Sequence, residues 1–206
     1  MMIGRSVNRQ GGFSLLELMV AVSISSVLLV GASRWMIIEL KQHRHLIADL
    51  YLRQQVTIVM DILTQQIMKA GFSIKKGSRA VLSGSQSTVA VNSTGDTLAF
   101  MYAITSAVGQ FRTISYQLRN NQLYLCEKQV SHPITFSLAS QSSASAPCYL
   151  AFDTKRIKVQ DFIVQLASVN TSVGSKPVLI NIELKASLVS SPSTKFGLSQ
   201  SVLIRN

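Results

Sequence analysis

The chain has 206 residues, 47% of them hydrophobic and 14% charged, with a formal charge of +11 at pH 7. That length fits one domain plus an anchor, and the apolar fraction excludes a chain too polar to build a core once the anchor is discounted. The charge divides as +2 over residues 1–12, +1 over 13–71 and +8 over 72–206. The basic excess beyond residue 72 suits anionic partners such as DNA, lipid head groups or acidic proteins, or serves only to keep a surface soluble.

Residues 1–12 form a short leader with Arg5 and Arg9 and no acid, which suits the cytoplasmic side of a membrane. From Phe13 to Ser33 run 21 residues in which Glu17 is the sole ionisable side chain. About 20 apolar residues suffice for a helix to cross a bilayer core, so this stretch is a predicted membrane-spanning helix. A carboxylate inside it costs about 2.5 kcal/mol or more and by default marks a function with a partner. The run is too long for a cleaved secretory signal and lacks a small-x-small site near its end. An ordinary signal anchor with a stray carboxylate is the bland alternative.

The leader, followed by Gly12-Phe13-Ser14-Leu15-Leu16-Glu17 and an apolar helix, resembles the prepilin signature of type IV pilins and type II secretion pseudopilins. The resemblance implies that a prepilin peptidase in the membrane cuts between Gly12 and Phe13 and methylates the new amine of Phe13. It also implies that Glu17 docks against the N-terminal amine of a neighbouring subunit as the helix enters a filament, removing two poorly solvated charges together. The fold it implies is α+β and pilin-like, with one long N-terminal helix packed on an antiparallel β-sheet head. Its parts are a leader (1–12), a transmembrane half-helix (13–33), an amphipathic half-helix (34–71) and a β-rich head (72–206). The head is expected in the periplasm, with the helix in the inner membrane until assembly into a pilus.

After Ser33 no proline intervenes before Pro133, and the first strong breaker is Gly71. A helix from Phe13 to Ala70 is roughly 87 Å long at 1.5 Å per residue. Met36, Leu40, Ile47, Tyr51, Ile58 and Ile62 recur at helical spacing, and Leu52, Val56, Val59, Leu63 and Ile67 trace an adjacent stripe; both are predicted to face the head. Lys69 and Gly71 form a C-terminal stop. Arg34 stands where many major pilins carry a proline, so the resemblance does not extend to a weakened helix at that point.

From Phe72 onward, short alternating apolar segments separated by Ser, Gly, Asn and Pro predict an antiparallel sheet. Thr97–Ile104 alternates with Leu98, Phe100, Tyr102 and Ile104 on one face. Phe111–Leu118 and Gln122–Glu127 flank Asn120-Asn121, a hairpin turn, because Asn tolerates positive φ. Lys155–Ala167, Pro177–Val189 and Leu198–Arg205 supply further strands, the last closing the sheet, while Ser137–Ala146 reads as an exposed loop. Cys126 and Cys148 are the only cysteines. In the oxidising envelope compartment they are expected to form one disulfide, stabilising the head by roughly 3 kcal/mol in the chain-entropy model. Two free buried thiols are the alternative; no paired Cys or His spacing points to a metal.

Asp61 to Phe72, ending Ala70-Gly71-Phe72, is similar to the helix end of W-type minor pilins (PilW-like), and Val202–Asn206 to their closing strand. The cysteine pair is followed by 58 residues, whereas the disulfide loop of a major pilin commonly lies near its C-terminus. The resemblance therefore implies a minor pilin of a priming or tip complex that helps initiate pilus assembly. Its partners are then other minor pilins, the major pilin, the prepilin peptidase and the inner membrane. A J-type minor pseudopilin of a type II secretion system is the close alternative. A third reading, of a different class, is a pilus-tip binding module whose basic head contacts DNA or another anion through Lys155, Arg156 and Lys158, or adheres to a surface. No cofactor is expected. His43, His45 and His132 accompany no nucleophile motif, phosphate loop or metal spacing, so an enzyme is the least favoured class.

Overall fold

A computed structural model describes residues 14–75, 77–104, 110–168 and 178–204, without the side chains of Lys41 and Ser168. The leader, Gly12, Phe13, Pro177 and Arg205 lie outside the described residues. The chain divides into two compact units, residues 1–47 and 48–206. Helix α1 (Leu15–Ile67) starts in the first and ends in the second.

In the first unit, α1 opens with the Leu18 N–H donating to the Ser14 carbonyl at 3.2 Å. Residues 14–40 and 42–47 are all exposed, including Leu15, Leu16, Leu18, Met19 and Val20 of the first turns. The hydroxyls of Ser23, Ser26 and Ser33 donate to the carbonyls of Val20, Ser23 and Leu29, so these polar groups are satisfied within the helix. A helix that keeps its hydrogen bonds to itself and turns apolar side chains outward on every side is built for a lipid or protein environment rather than water.

The second unit buries a different stripe. Leu52, Val56, Val59, Met60, Leu63 and Ile67 are buried, an arc of roughly 100° at 100° per residue. The parallel stripe expected at Met36, Leu40, Ile47, Ile58 and Ile62 is instead exposed. Ile58 and Ile62 lie roughly 100° and 60° beyond the edge of that arc, and only Tyr51 of that set packs against the core. The helix also stops earlier than expected. Past Ile67 the Lys69 and Ala70 N–H groups bond three residues back, to Gln66 and Ile67, so the last turn tightens into 3₁₀ winding. Gly71 then leaves at φ 80°, a conformation that disfavours any Cβ.

The strands form two sheets where one was expected. The first is a five-stranded antiparallel meander in the order β1 (Val89–Val91), β2 (Thr97–Ala103), β3 (Phe111–Arg119), β4 (Gln122–Val130), β5 (Tyr149–Leu150). The second is a three-stranded meander of β6 (Ile157–Ser168), β7 (Val178–Leu188) and β8 (Lys195–Ile204). Asn120 and Asn121 take φ of 49° and 59°, the double left-handed geometry of a two-residue hairpin, as the Asn pair foretells. The division has a local cause. The Val159 N–H donates to the Asn121 carbonyl at 2.9 Å and the Val164 N–H to the Gly95 carbonyl at 2.8 Å. Two turns of the first sheet thus occupy the outer edge of β6, where a sheet-continuing strand would otherwise pair.

One core joins α1 to both sheets: Leu98, Phe100, Ile114, Tyr116 and Leu123 from the first, and Val159, Phe162, Val164, Ile180, Ile182, Leu184 and Ala186 from the second. The Tyr116 hydroxyl donates to Gln66 Oε1 at 2.6 Å, fastening α1 to β3, and burial raises the phenol's pKa, with the Glu127 carboxylate adding to the effect. A second, smaller cluster of Ala80, Leu82, Ala99, Met101 and Ala139 lies on the other face of β2. Residues 137–146 are accordingly no simple loop. They include most of the short helix α2 (Phe136–Ser140), capped by Thr135, which buries Ala139 and Ser140. Ile104, expected within its strand, lies just past the end of β2 and is exposed.

Candidate functional site

Three groups of residues carry the chemistry anticipated from the sequence, and they do not converge. At the N-terminus, Glu17 sits in the first turn of α1, exposed, with Leu15, Leu16, Leu18 and Met19 around it. Ser14 and Glu17 have the Ser-x-x-Glu spacing of a capping box, so the carboxylate also sits where unpaired helix N–H groups favour a negative charge. No cation pairs with Glu17 among the described residues, and the next ionisable side chain along the helix is Arg34.

The second group is the Cys126–Cys148 disulfide, which closes a separation of 22 residues. Cys126 is buried in β4, and Cys148 directly precedes β5. The enclosed segment carries α2, and the Lys128 ammonium donates to the Leu138 carbonyl; partial burial lowers the Lys128 pKa. The bridge thus holds α2 over the outer face of β2 and β3. Thr135 before the apolar Phe136, Leu138 and Ala139 was the available sign of this helix, masked by the serines around it.

The basic cluster is divided. Lys155 and Arg156 lie in the turn before β6, and Lys158 is on the strand. Asp153 sits among them: its Oδ1 accepts the Lys155 backbone N–H at 3.0 Å, and its Oδ2 is 3.8 Å from Arg156 Nε. The Arg156 guanidinium lies 5.5 Å from the centroid of the Tyr51 ring, so this cation already has a stacking partner on α1. Sequence reasoning missed Lys195. Lys158 and Lys195 both register with Ser187 of β7, from its two sides, and therefore share a face.

The histidines are not gathered. His43 Nε2 lies 3.3 Å from Glu39 one turn away, and His132 contacts Ser131. Among the described residues no group of three or more His, Cys, Asp or Glu side chains is placed to hold a metal ion. A shallow cavity of about 270 Å³ on the second sheet is lined by Gln165, Asn181, Glu183, Ser199 and Ser201. Its lining joins these amides and hydroxyls to Ile163 and Ile182, and its one carboxylate, Glu183, is paired with Lys185 at 2.5 Å.

Residues 7–33 match the prokaryotic N-terminal methylation motif, the signature of type IV prepilins. Residues 45–204 match the family described as prepilin peptidase-dependent protein B. No curated protein sequence matches the chain. A solved structure, a type IV-like pilin from Thermus thermophilus, is similar at 10% identity with a TM-score of 0.47, over 75% of this chain and 96% of that one. With the second match spanning most of the chain and the first covering the apolar N-terminal helix, the protein belongs to the prepilin peptidase-dependent protein B family and is type IV pilin-like.

Proposed function

We propose that this chain is a minor pilin of W type, a low-abundance structural subunit of a priming or tip complex that helps start a type IV pilus. Its leader is cut between Gly12 and Phe13, Phe13 is methylated, and the helix holds the head on the periplasmic side of the inner membrane until assembly. The observation that carries the reading is Glu17. It is the one ionisable side chain between Phe13 and Ser33, it stands on an exposed apolar helix surface, and it has no cation among the described residues. An uncompensated carboxylate in such a setting calls for a partner from another chain, and the amine of a neighbouring subunit's Phe13 supplies one of the right charge. Support for the W type comes from Ala70-Gly71-Phe72 at the end of α1, and from the whole second sheet lying beyond the disulfide.

Mass spectrometry of the envelope form should find an N-terminus at methylated Phe13, and Gly12→Val should retain the leader because a branched side chain crowds the scissile bond. Glu17→Ala should still be processed and inserted, yet lower filament number or the incorporation of this subunit. An intact leader in the wild type, or normal assembly of the Glu17 variant, would refute the proposal. Loss of secretion rather than of pili would move the chain to a J-type pseudopilin role.

A second reading draws on Lys158 and Lys195 flanking Ser187, with Lys155 nearby: a polyanion such as DNA contacting the head. Under it, Lys158→Glu with Lys195→Glu should abolish salt-dependent DNA binding while filaments persist.

A further inference from the structure

The head and the helix N-terminus leave one charged stretch unexplained, the first turns of α1 past the apolar run. Arg34-Trp35 ends that run, and Lys41 and Arg44 follow before residue 47. Arg44 follows Arg34 by ten positions, which places the two arginines roughly 80° apart around the helix. Arg34, Trp35 and Arg44 are exposed, and neither arginine pairs with a carboxylate among the described residues. The nearby acid, Glu39, is roughly 140° around the helix from Arg34, where it is engaged with His43 at 3.3 Å. Arg34 and Arg44 thus present unneutralised charge on one side of the helix, beside one amphipathic aromatic, at the level where a helix spanning from Phe13 to Ser33 leaves the hydrocarbon.

We infer that residues 34–44 bind the anionic headgroups of the leaflet on the head side, with Arg34 and Arg44 contacting lipid phosphates and Trp35 seated at the headgroup boundary. Charge complementarity decides the occupant. A pair of cations continuous with a membrane-spanning segment meets lipid phosphate before any soluble partner, and Trp is the side chain that settles at this depth. In the proposed orientation the two arginines lie on the translocated side, against the usual bias of Lys and Arg, so their charges need local neutralisation. The lipid contact would hold the subunit in the bilayer and must be broken as the helix is withdrawn into a filament. The inference rests on the anchor reading of Phe13–Ser33 but not on the role in pilus initiation.

Trp35 is the only tryptophan in the chain, so it reports on its own surroundings. The full chain is reconstituted in vesicles of phosphatidylcholine, alone or mixed with phosphatidylglycerol, and Trp35 quenching by headgroup-labelled forms of each lipid is compared. Phosphatidylglycerol should quench preferentially, with the preference shrinking in high salt and falling about fivefold for each of Arg34→Gln and Arg44→Gln. Arg79→Gln, at an exposed position on the head, should leave it unchanged. Equal quenching by the two lipids would overturn the inference. So would an unaltered preference in the double variant, and if that variant also assembled poorly the two arginines would serve a protein partner instead. Release of the chain from vesicles by alkaline wash would bring down the anchor reading itself, a failure distinct from insertion without lipid preference.

Discussion

Tyr116 and Asp96 show how single polar groups support a largely apolar head. The Tyr116 hydroxyl is the polar tie between β3 and α1, through Gln66. Tyr116→Phe keeps the packed ring and removes the donor, so urea denaturation of the head should show a loss of about 1 kcal/mol with an unchanged m-value. Asp96 organises the turn before β2. Partial burial pushes its pKa up, but hydrogen bonds from Asn92, Thr97 and Thr94 outweigh that and leave it below the ordinary value of 3.8. A carboxyl depressed on folding contributes stability that is full above the unfolded value and lost as pH falls through the folded one. The effect here is held below about 1 kcal/mol by solvent exposure. Acid titration of stability should therefore show a small extra drop below pH 3.8 that Asp96→Asn removes. The same turn supplies the Gly95 carbonyl to Val164, so its loosening should register first as faster amide exchange at Val164.

Among the elements, α2 adds little burial to the head, since only Ala139 and Ser140 of its five residues are buried. Among the described residues, the small cluster of Ala80, Leu82, Ala99 and Met101 takes from α2 the buried Ala139 and the partly buried Phe136. The covalent link between β4 and the start of β5 accordingly matters more here than in the main core. Cys148→Ser should lower head stability by roughly 3 kcal/mol in the loop-entropy model. Limited proteolysis should then cut within 131–147 before any other described segment, and cleavage elsewhere first would show that α2 stays docked without the bridge. The hairpin of β3 and β4 contrasts with it. Nine registered pairs and the Asn120-Asn121 turn specify it locally, so it should keep its register when the disulfide is absent.

At the scale of the molecule, the two units rest on different solvents. Every buried apolar residue of the main core lies at or beyond Leu52, while the described side chains of residues 14–47 are all exposed. A fragment of residues 48–206 should thus fold by itself as a soluble β-rich unit, with one cooperative thermal transition by circular dichroism and the Cys126–Cys148 bridge intact. A fragment that remains unfolded would mean that the helix before Ala48 contributes to the core. Removing the second half of α1 as well is a different case. Loss of Leu52, Val56, Met60, Leu63 and Ile67 strips apolar side chains worth about 1.5 to 3 kcal/mol each when fully buried, more than a marginally stable domain can lose.

The methylation motif with Glu17 in its apolar run, the left-handed exit at Gly71 and the Asn120-Asn121 hairpin were legible in the residues alone. Each depends on chemistry confined to one short stretch: hydropathy over a helix length, a motif at fixed spacing, or a backbone angle that few residues adopt. The alternation of Ile180, Ile182, Leu184 and Ala186 likewise foretold which face of β7 is buried, since strand periodicity is local. What only the tertiary structure decided is which local possibilities found partners. Two equally periodic stripes ran along α1, and the arc covered by the sheets buried one and left the other exposed. The strands could have formed one sheet, and the capture of the β6 edge by Gly95 and Asn121 divided them into two. The cations beyond residue 155 looked alike in sequence, yet Arg156 was drawn to Tyr51, more than a hundred residues earlier, while Lys195 was brought level with Lys158. Long-range pairings of this kind leave no periodic mark in the chain, because they are selected by the packing of the whole core and not by the neighbours of any one residue.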